Sequence, residues 1–206
     1  QRQMCIRDRD TTKEIWEGIR VGVDGAKAWP VDYTDSLQSL DSCIKELVSD
    51  GCRVFKIPGA SSSLDISLDE NNVVEDLRPY IDPIRRVKST NEIQYMKEAA
   101  SIASFAHEKA MRDSRPGMGE WEIQALVEGH FMSSLSQWSF PSIVGGGDNA
   151  TVLHYKNNNQ VIKSGDLVLV DAGCEVSGYA SDITRTWPVN GKFSQPQREI
   201  YELVLR

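Results

Sequence analysis

Apolar residues recur at helical spacing in four parts of the chain. In each part they lie three and four positions apart, which is the period of one face of an α-helix. The predicted helices cover residues 36–47, a long segment that begins near Ser89 and ends before Pro116, residues 120–135 and residues 194–206. Ser89 and Glu92 have the spacing of a capping box, which marks the start of the long helix.

Strands are predicted where short apolar runs lie between turn residues. These runs are residues 53–57, 142–144, 151–155, 166–171 and 179–188. Residues 60–72 are rich in serine, aspartate and asparagine and predict a loop, whereas Pro79 and Pro83 predict a linker at 79–88. From about residue 14 to residue 82, the pattern indicates an incomplete α/β unit.

Charge and hydropathy exclude two kinds of partner. The 206 residues include 23 basic and 30 acidic side chains, which gives a net charge of −7. A surface for nucleic acid needs the opposite balance, so no nucleic-acid partner is expected. The longest aliphatic run, residues 167–170, is far shorter than the ~20 residues of a membrane span, so no membrane partner is expected.

The cysteines and the first residues bear on location. Cysteines 5, 43, 52 and 174 lack the paired spacing of a zinc site, and no apolar signal segment opens the chain. Both observations predict reduced thiols and a cytoplasmic protein. The first ten residues, QRQMCIRDRD, show neither a helix period nor a strand period. Residues 1–13 are therefore predicted to be an unstructured or non-native extension.

Two aspartates in residues 167–187 are the strongest candidates for chemistry. Asp171 ends the aliphatic run, and a hairpin centred near residues 176–177 would bring Asp182 beside it across two strands. Two close carboxylates repel each other unless a cation lies between them, and oxygen ligands suit a hard metal such as manganese. The alternative is that Asp171 is a strand-end aspartate and Asp182 pairs with Arg185 on the surface.

His154 is a third candidate, in the segment TVLHYKNNNQVIKSGD. A single histidine beside a tyrosine at a strand end is either a structural residue or a functional one. The spacing by itself leaves both interpretations open.

The stretch DAGCEVSGYASDITRTWPVNGKFSQPQREIYELVL resembles the metallopeptidases of the pita-bread fold, and most of all their aminopeptidase P (Xaa-Pro aminopeptidase) branch. That family has two metal-binding aspartates in a DxG…SDxTRT pattern, which match Asp171 and Asp182. The resemblance implies two divalent metal ions, usually manganese, bridged by Asp182, with a metal-bound hydroxide that attacks the peptide carbonyl. It also implies that His154 contacts the substrate and stabilises the tetrahedral intermediate.

The same resemblance, over residues 14–206, implies a domain organisation. Residues 14–84 match the C-terminal part of a smaller N-terminal α/β (creatinase-like) domain, and residues 85–206 match the N-terminal half of a pita-bread catalytic domain of α/β (α+β) class. Three further metal ligands of the family, a histidine and two glutamates, are expected beyond Arg206. The chain is therefore expected to be a truncated fragment that is inactive alone, and the full-length protein is expected to be a homo-oligomer, either a dimer or a tetramer.

These observations predict an aminopeptidase that releases the N-terminal residue from peptides with proline in the second position. One alternative is a prolidase acting on Xaa-Pro dipeptides, because it shares both aspartates. Another is a catalytically inactive pita-bread module that binds peptides, histones or RNA. The two retained aspartates and the net charge of −7 favour the enzyme over that module.

Overall fold

The structure is a computed structural model that describes residues 3–48, 53–60 and 74–205. The predicted loop at 60–72 lies, apart from Ala60, outside the described residues. The chain divides into two compact units, residues 1–87 and residues 88–206. Each unit is described by itself.

The first unit alternates short helices and strands. Its elements are β1 (Gln3–Ile6), α1 (Thr11–Glu17), α2 (Gly22–Ala26), β2 (Tyr33–Ser36), a 3₁₀ turn (Leu37–Ser39), α3 (Leu40–Val48), β3 (Val54–Lys56), β4 (Val74–Asp76) and α4 (Arg78–Arg86). β1 pairs with β2, and β3 pairs with β4, in both cases in parallel. The structure therefore confirms the predicted helix at 36–47 and the predicted strand at 53–57.

Two segments of this unit differ from the sequence-based expectation. Residues 3–6, expected to lack regular structure, form β1, because β2 supplies backbone partners from about 30 positions further along the chain. The predicted linker at 79–88 is mostly the helix α4. Pro79 lies in the first turn of that helix, where a missing N–H group costs nothing, so proline there is compatible with a helix.

The second unit contains two long helices and antiparallel strands. Its elements are α5 (Thr90–Asp113), α6 (Glu120–Ser133), β5 (Gln137–Trp138), β6 (Ile143–Gly146), a 3₁₀ helix (Gly147–Thr151), β7 (Leu167–Ala172), β8 (Cys174–Val176), β9 (Tyr179–Ala180), β10 (Ile183–Pro188) and α7 (Gln195–Leu205). The predicted capping box starts α5: the Ser89 N–H donates to Glu92 Oε2 at 2.6 Å, and the Glu92 N–H donates to Ser89 Oγ at 3.4 Å.

The core of this unit lies on one face of the sheet β10–β7–β6. Along β7, Val168, Val170 and Ala172 are fully buried and alternate with half-buried residues, as expected for a strand with one face in the core. Helix α5 brings four fully buried alanines to the same core, and α6 brings larger apolar side chains. These residues are Ala99, Ala103, Ala106, Ala110, Ile123, Val127 and Phe131.

Two segments that were predicted as strands have a different conformation in the structure. Residues 151–155 do not pair with a strand; Thr151 ends the 3₁₀ helix, and the Tyr155 hydroxyl donates to the Glu120 side chain. The predicted strand 179–188 is divided into β9 and β10, because β9 pairs with β8 whereas β10, from Ile183 onward, pairs with β7. Among the described residues, no helix is both long and apolar enough to cross a membrane.

Candidate metal centre

The register of β7 and β10 determines where the two aspartates lie. Asp171 pairs with Thr184, and Asp182 directly precedes β10, so the two aspartates are diagonal neighbours. The hairpin turns at Ser177 and Gly178, about one residue later than predicted, since Val176 pairs with Tyr179. Both turn residues have positive φ, 51° and 83°, which is typical of the two-residue turns that join twisted strands.

Gly173 allows the chain around Asp182 to approach β7. A Cβ atom on Gly173 would lie 1.8 Å from the Ser181 carbonyl oxygen, so no other residue fits without a backbone shift. Ser181 in turn donates its N–H to the Cys174 carbonyl at 2.8 Å and accepts the Cys174 N–H on its Oγ at 3.0 Å. The glycine two positions after Asp171 is therefore required by the same close approach that brings Asp182 to the site.

Asp171 is held in an environment that disfavours its charge. Its Oδ1 atom is buried and has no hydrogen-bond partner among the described residues. Burial raises the pKa of Asp171 above its usual value, the negative charge of Asp182 raises it further, and a hydrogen bond with Thr184 opposes both effects. A carboxylate pair with an unpartnered buried oxygen is a site that a cation would stabilise.

A cavity of about 310 Å³ brings the three predicted site residues together. It is lined by Phe140, Pro141, Ile143, His154, Lys156, Asp171 and Asp182. Lys156 was not predicted, because residues 152–160 contain no helix or strand whose period would place it beside His154. Phe140 lines this cavity, whereas Trp121 and Trp138 do not and are each about half exposed.

The alternative in which Asp182 pairs with Arg185 is not seen. No ion pair joins them in the described part of the chain, and Arg185 donates instead to the Thr184 carbonyl oxygen at 2.8 Å. The other two histidines do not line the cavity. His107 is buried with Nδ1 2.8 Å from the Ala103 carbonyl oxygen, and His130 contacts the ring of Phe105.

The residues present fit part of a metal site. Asp171 and Asp182 offer the oxygen ligands that hard divalent cations prefer. Within residues 3–48, 53–60 and 74–205, however, no group of three or more histidine, cysteine, aspartate or glutamate side chains has the arrangement of a metal site. The described residues therefore offer two candidate carboxylate ligands and one exposed imidazole.

Residues 94–206 match the model of metallopeptidase family M24, and the chain belongs to this family. It is 41% identical to a Xaa-Pro aminopeptidase from Haemophilus influenzae, over 98% of this chain and 48% of that protein. Among solved structures, a variant of Escherichia coli aminopeptidase P in complex with substrate matches with a TM-score of 0.89 at 38% identity, over 97% of this chain and 49% of that one. Aminopeptidase P II from Yersinia pestis matches with a TM-score of 0.90 at 35% identity.

These similarities confirm the predicted family and fold. The chain has the fold of the corresponding part of aminopeptidase P, a pita-bread protein, and spans about half the length of the relatives that it matches. The DxG…SDxTRT pattern around Asp171 and Asp182 was therefore a sound basis for recognising the family.

Proposed function

We propose that this chain contributes the first part of the active site of a metal-dependent aminopeptidase, which releases the N-terminal residue from peptides with proline in the second position. The observation that carries the proposal is the buried, unpartnered oxygen of Asp171, beside Asp182 and His154 in one cavity. Membership of family M24 and the similarity to Xaa-Pro aminopeptidases support the substrate class.

Asp171 and Asp182 are the proposed metal ligands. They would hold two divalent ions, with manganese as the proposed metal. When bound, such ions activate water and polarise the scissile carbonyl. The carboxylates contribute the negative charge that binds the ions, and burial of Asp171 Oδ1 keeps competing water away from this ligand.

The other cavity residues are assigned to substrate binding. His154 is exposed at the cavity wall, where its ring can donate a hydrogen bond to the carbonyl oxygen of the scissile bond. Phe140 and Pro141 form an apolar part of the wall, against which a proline ring can pack.

The test uses the product of the full reading frame that encodes this chain. We expect it to release the first residue from Xaa-Pro-Yaa peptides with manganese present, to lose activity with a chelator, and to leave Xaa-Ala-Yaa peptides intact. Asp182→Asn should abolish this activity, whereas Asp148→Asn, which changes an exposed aspartate, should not. Cleavage of Xaa-Pro dipeptides alone would instead indicate a prolidase, and no cleavage by a folded, manganese-loaded protein would indicate a binding module.

The chain of 206 residues is expected to be inactive by itself and to bind manganese weakly. Two carboxylates without further ligands form an open site, because each ion keeps most of its water. Titration calorimetry measures this directly, and tight binding of two manganese ions per chain would contradict the expectation. Homo-oligomer formation and a cytoplasmic location remain predictions; light scattering and cell fractionation of the full product test them.

A further inference from the structure

The segment 152–160 carries two of the cavity residues, His154 and Lys156, yet contains no helix or strand. Ladder hydrogen bonds therefore do not fix its conformation. Two of its side chains are instead buried in the protein, Tyr155 at 9% exposed and Asn158 at 5% exposed. Both make hydrogen bonds to side chains of helix α6.

Glu120, the first residue of α6, accepts the bond from Tyr155 and three others. Its side chain is 1% exposed, and its carboxylate accepts four hydrogen bonds from neutral donors. Oε1 accepts from the Gly146 N–H at 2.8 Å and from Asn149 Nδ2 at 2.9 Å. Oε2 accepts from the Tyr155 hydroxyl at 2.8 Å and from the Gln160 N–H at 3.0 Å. One carboxylate thus bonds to the chain on both sides of His154.

Gln124 extends the same attachment by one helical turn. Residues four apart lie on one face of a helix, so Glu120 and Gln124 face the segment together. Asn158 donates from Nδ2 to Gln124 Oε1 at 2.9 Å and to the Ser142 carbonyl oxygen at 2.8 Å, and its Oδ1 accepts the Val144 N–H at 3.1 Å. Asn158 has φ of 44°, a conformation that asparagine tolerates better than most residues.

Burying a carboxylate costs free energy, so a glutamate at this position needs a specific explanation. An apolar side chain would fill the start of α6 without the desolvation penalty of a charge. A carboxylate, in contrast, accepts hydrogen bonds at both oxygens and donates none, so only this group satisfies all four donors at once. Burial and the Glu120 contact also raise the pKa of Tyr155, which keeps its hydroxyl protonated as a donor.

We propose that Glu120 is a positioning residue that, together with Gln124, holds the His154 imidazole at the cavity wall. The hydrogen bonds themselves lie within this chain and do not depend on the proposed function. Only the role of the His154 position, contact with the substrate, rests on that function. Glu120 acts through Tyr155, the residue next to His154, and does not contact the substrate.

The test compares Glu120→Gln with Glu122→Gln in the 206-residue chain. Both residues lie in the first turn of α6, but among the described residues Glu122 accepts only from the Gly119 N–H, so it controls for loss of charge at the helix start. Glu120→Gln should raise amide exchange in residues 152–160 at least about tenfold, because an amide group leaves buried donors unpaired. Amides of Val168 and Val170 should change less than about twofold, and Glu122→Gln should leave 152–160 unchanged.

Ring signals of the histidines supply a readout that stability alone would not change. The chain has three histidines, so the His154 ring can be assigned by comparison with His154→Gln. In Glu120→Gln the His154 signal should shift and narrow toward that of a free imidazole, while the signals of His107 and His130 stay in place. Tyr155→Phe tests the same contact from the segment side and leaves α6 intact; it should give a smaller change of the same kind.

Two results would overturn the inference. One is unchanged exchange at 152–160 in both Glu120→Gln and Tyr155→Phe; the other is an equal rise throughout residues 88–205, which would make Glu120 a general stability residue. Neither measurement needs peptidase activity, so both can still be interpreted if the proposed function is wrong. In an active full product, Glu120→Gln should lower kcat about tenfold or more with little change in KM, as expected when a transition-state contact is misplaced.

Discussion

The strand pair β7–β10 and the segment 152–160 hold residues of the same cavity in different ways. Six consecutive residue pairs, from Ala172 opposite Ile183 to Pro188 opposite Leu167, set the register that brings Asp171 to its position. His154 depends on side-chain hydrogen bonds from Tyr155 and Asn158 to helix α6. A backbone ladder tolerates many side-chain changes, whereas an attachment by side chains depends on the identity of a few residues. The position of Asp171, a proposed metal ligand, is thus expected to be more robust to mutation than that of His154.

The largest expected effect concerns the end of the ladder, at Asp171. Asp171→Asn should lower kcat/KM of the full product by about 10³-fold or more, since a metal contributes several kcal/mol to the transition state. It should also raise the melting temperature of the metal-free chain by a few degrees, because burial and the negative charge of Asp182 disfavour the charged form of Asp171 more than its contact with Thr184 favours it. Peptide assays and calorimetry measure the two effects. A lower melting temperature would show that this charge is balanced, and Asp148→Asn should change neither quantity.

The second prediction compares valines in the two regions. Val170→Ala, in the fully buried face of β7, should lower the free energy of unfolding by about 2–3 kcal/mol. Val152→Ala, in the segment, should lower it by less than about 0.5 kcal/mol, because that side chain is 52% exposed. Urea unfolding of this chain measures both values. Equal losses would mean that the segment is as much a part of the core as the ladder.

Asn158 provides the third and more local prediction. Asn158→Gly keeps a residue that accepts positive φ but removes three hydrogen bonds, so opening of residues 152–160 should become easier by about 1–3 kcal/mol. Asn157→Gly is the matched control, since its side chain is exposed. Amide exchange of the segment reports the difference. If both variants behave alike, glycine flexibility rather than the lost bonds explains the effect.

The smallest expected effect is a pH dependence of stability that arises at the hairpin β8–β9. The Tyr179 hydroxyl donates to Glu92, and together with the Ser89 N–H it lowers the pKa of Glu92 from the usual 4.5 to about 2. Because the folded pKa is the lower one, these bonds stabilise the protein fully above pH 4.5 and are lost as the pH falls from 4.5 toward 2.

Unfolding measured between pH 2 and pH 5 tests this effect. Glu92→Gln and Tyr179→Phe should both flatten the fall in stability over that range relative to the unaltered chain. If the slope is the same in all three proteins, the Glu92 contacts do not contribute to the pH dependence of stability.

Local patterns sufficed for several parts of the fold. The start of α5 was predictable because its capping box lies within four consecutive residues, Ser89 to Glu92. The strand β7 was predictable because four aliphatic residues end at an aspartate. Two of the errors fell where partners are distant in sequence: β1 depends on β2, and Tyr155 bonds to Glu120, 35 positions earlier. The error at 79–88 was local, because Pro79 lies in the first turn of α4, where proline is compatible with a helix.

The sequence by itself determined the family and the two metal-binding candidates, because the spacing of Asp171, Gly173 and Asp182 is a local pattern around one hairpin. Only the tertiary structure decided how His154 reaches the same cavity, which residues line it, and that a buried glutamate holds the segment in place. The physical reason is that hydrogen-bond satisfaction of a buried group depends on every element packed around it. In the sequence, Glu120 is an ordinary acidic residue at the start of a helix, and only the structure shows the four donors that it accepts from.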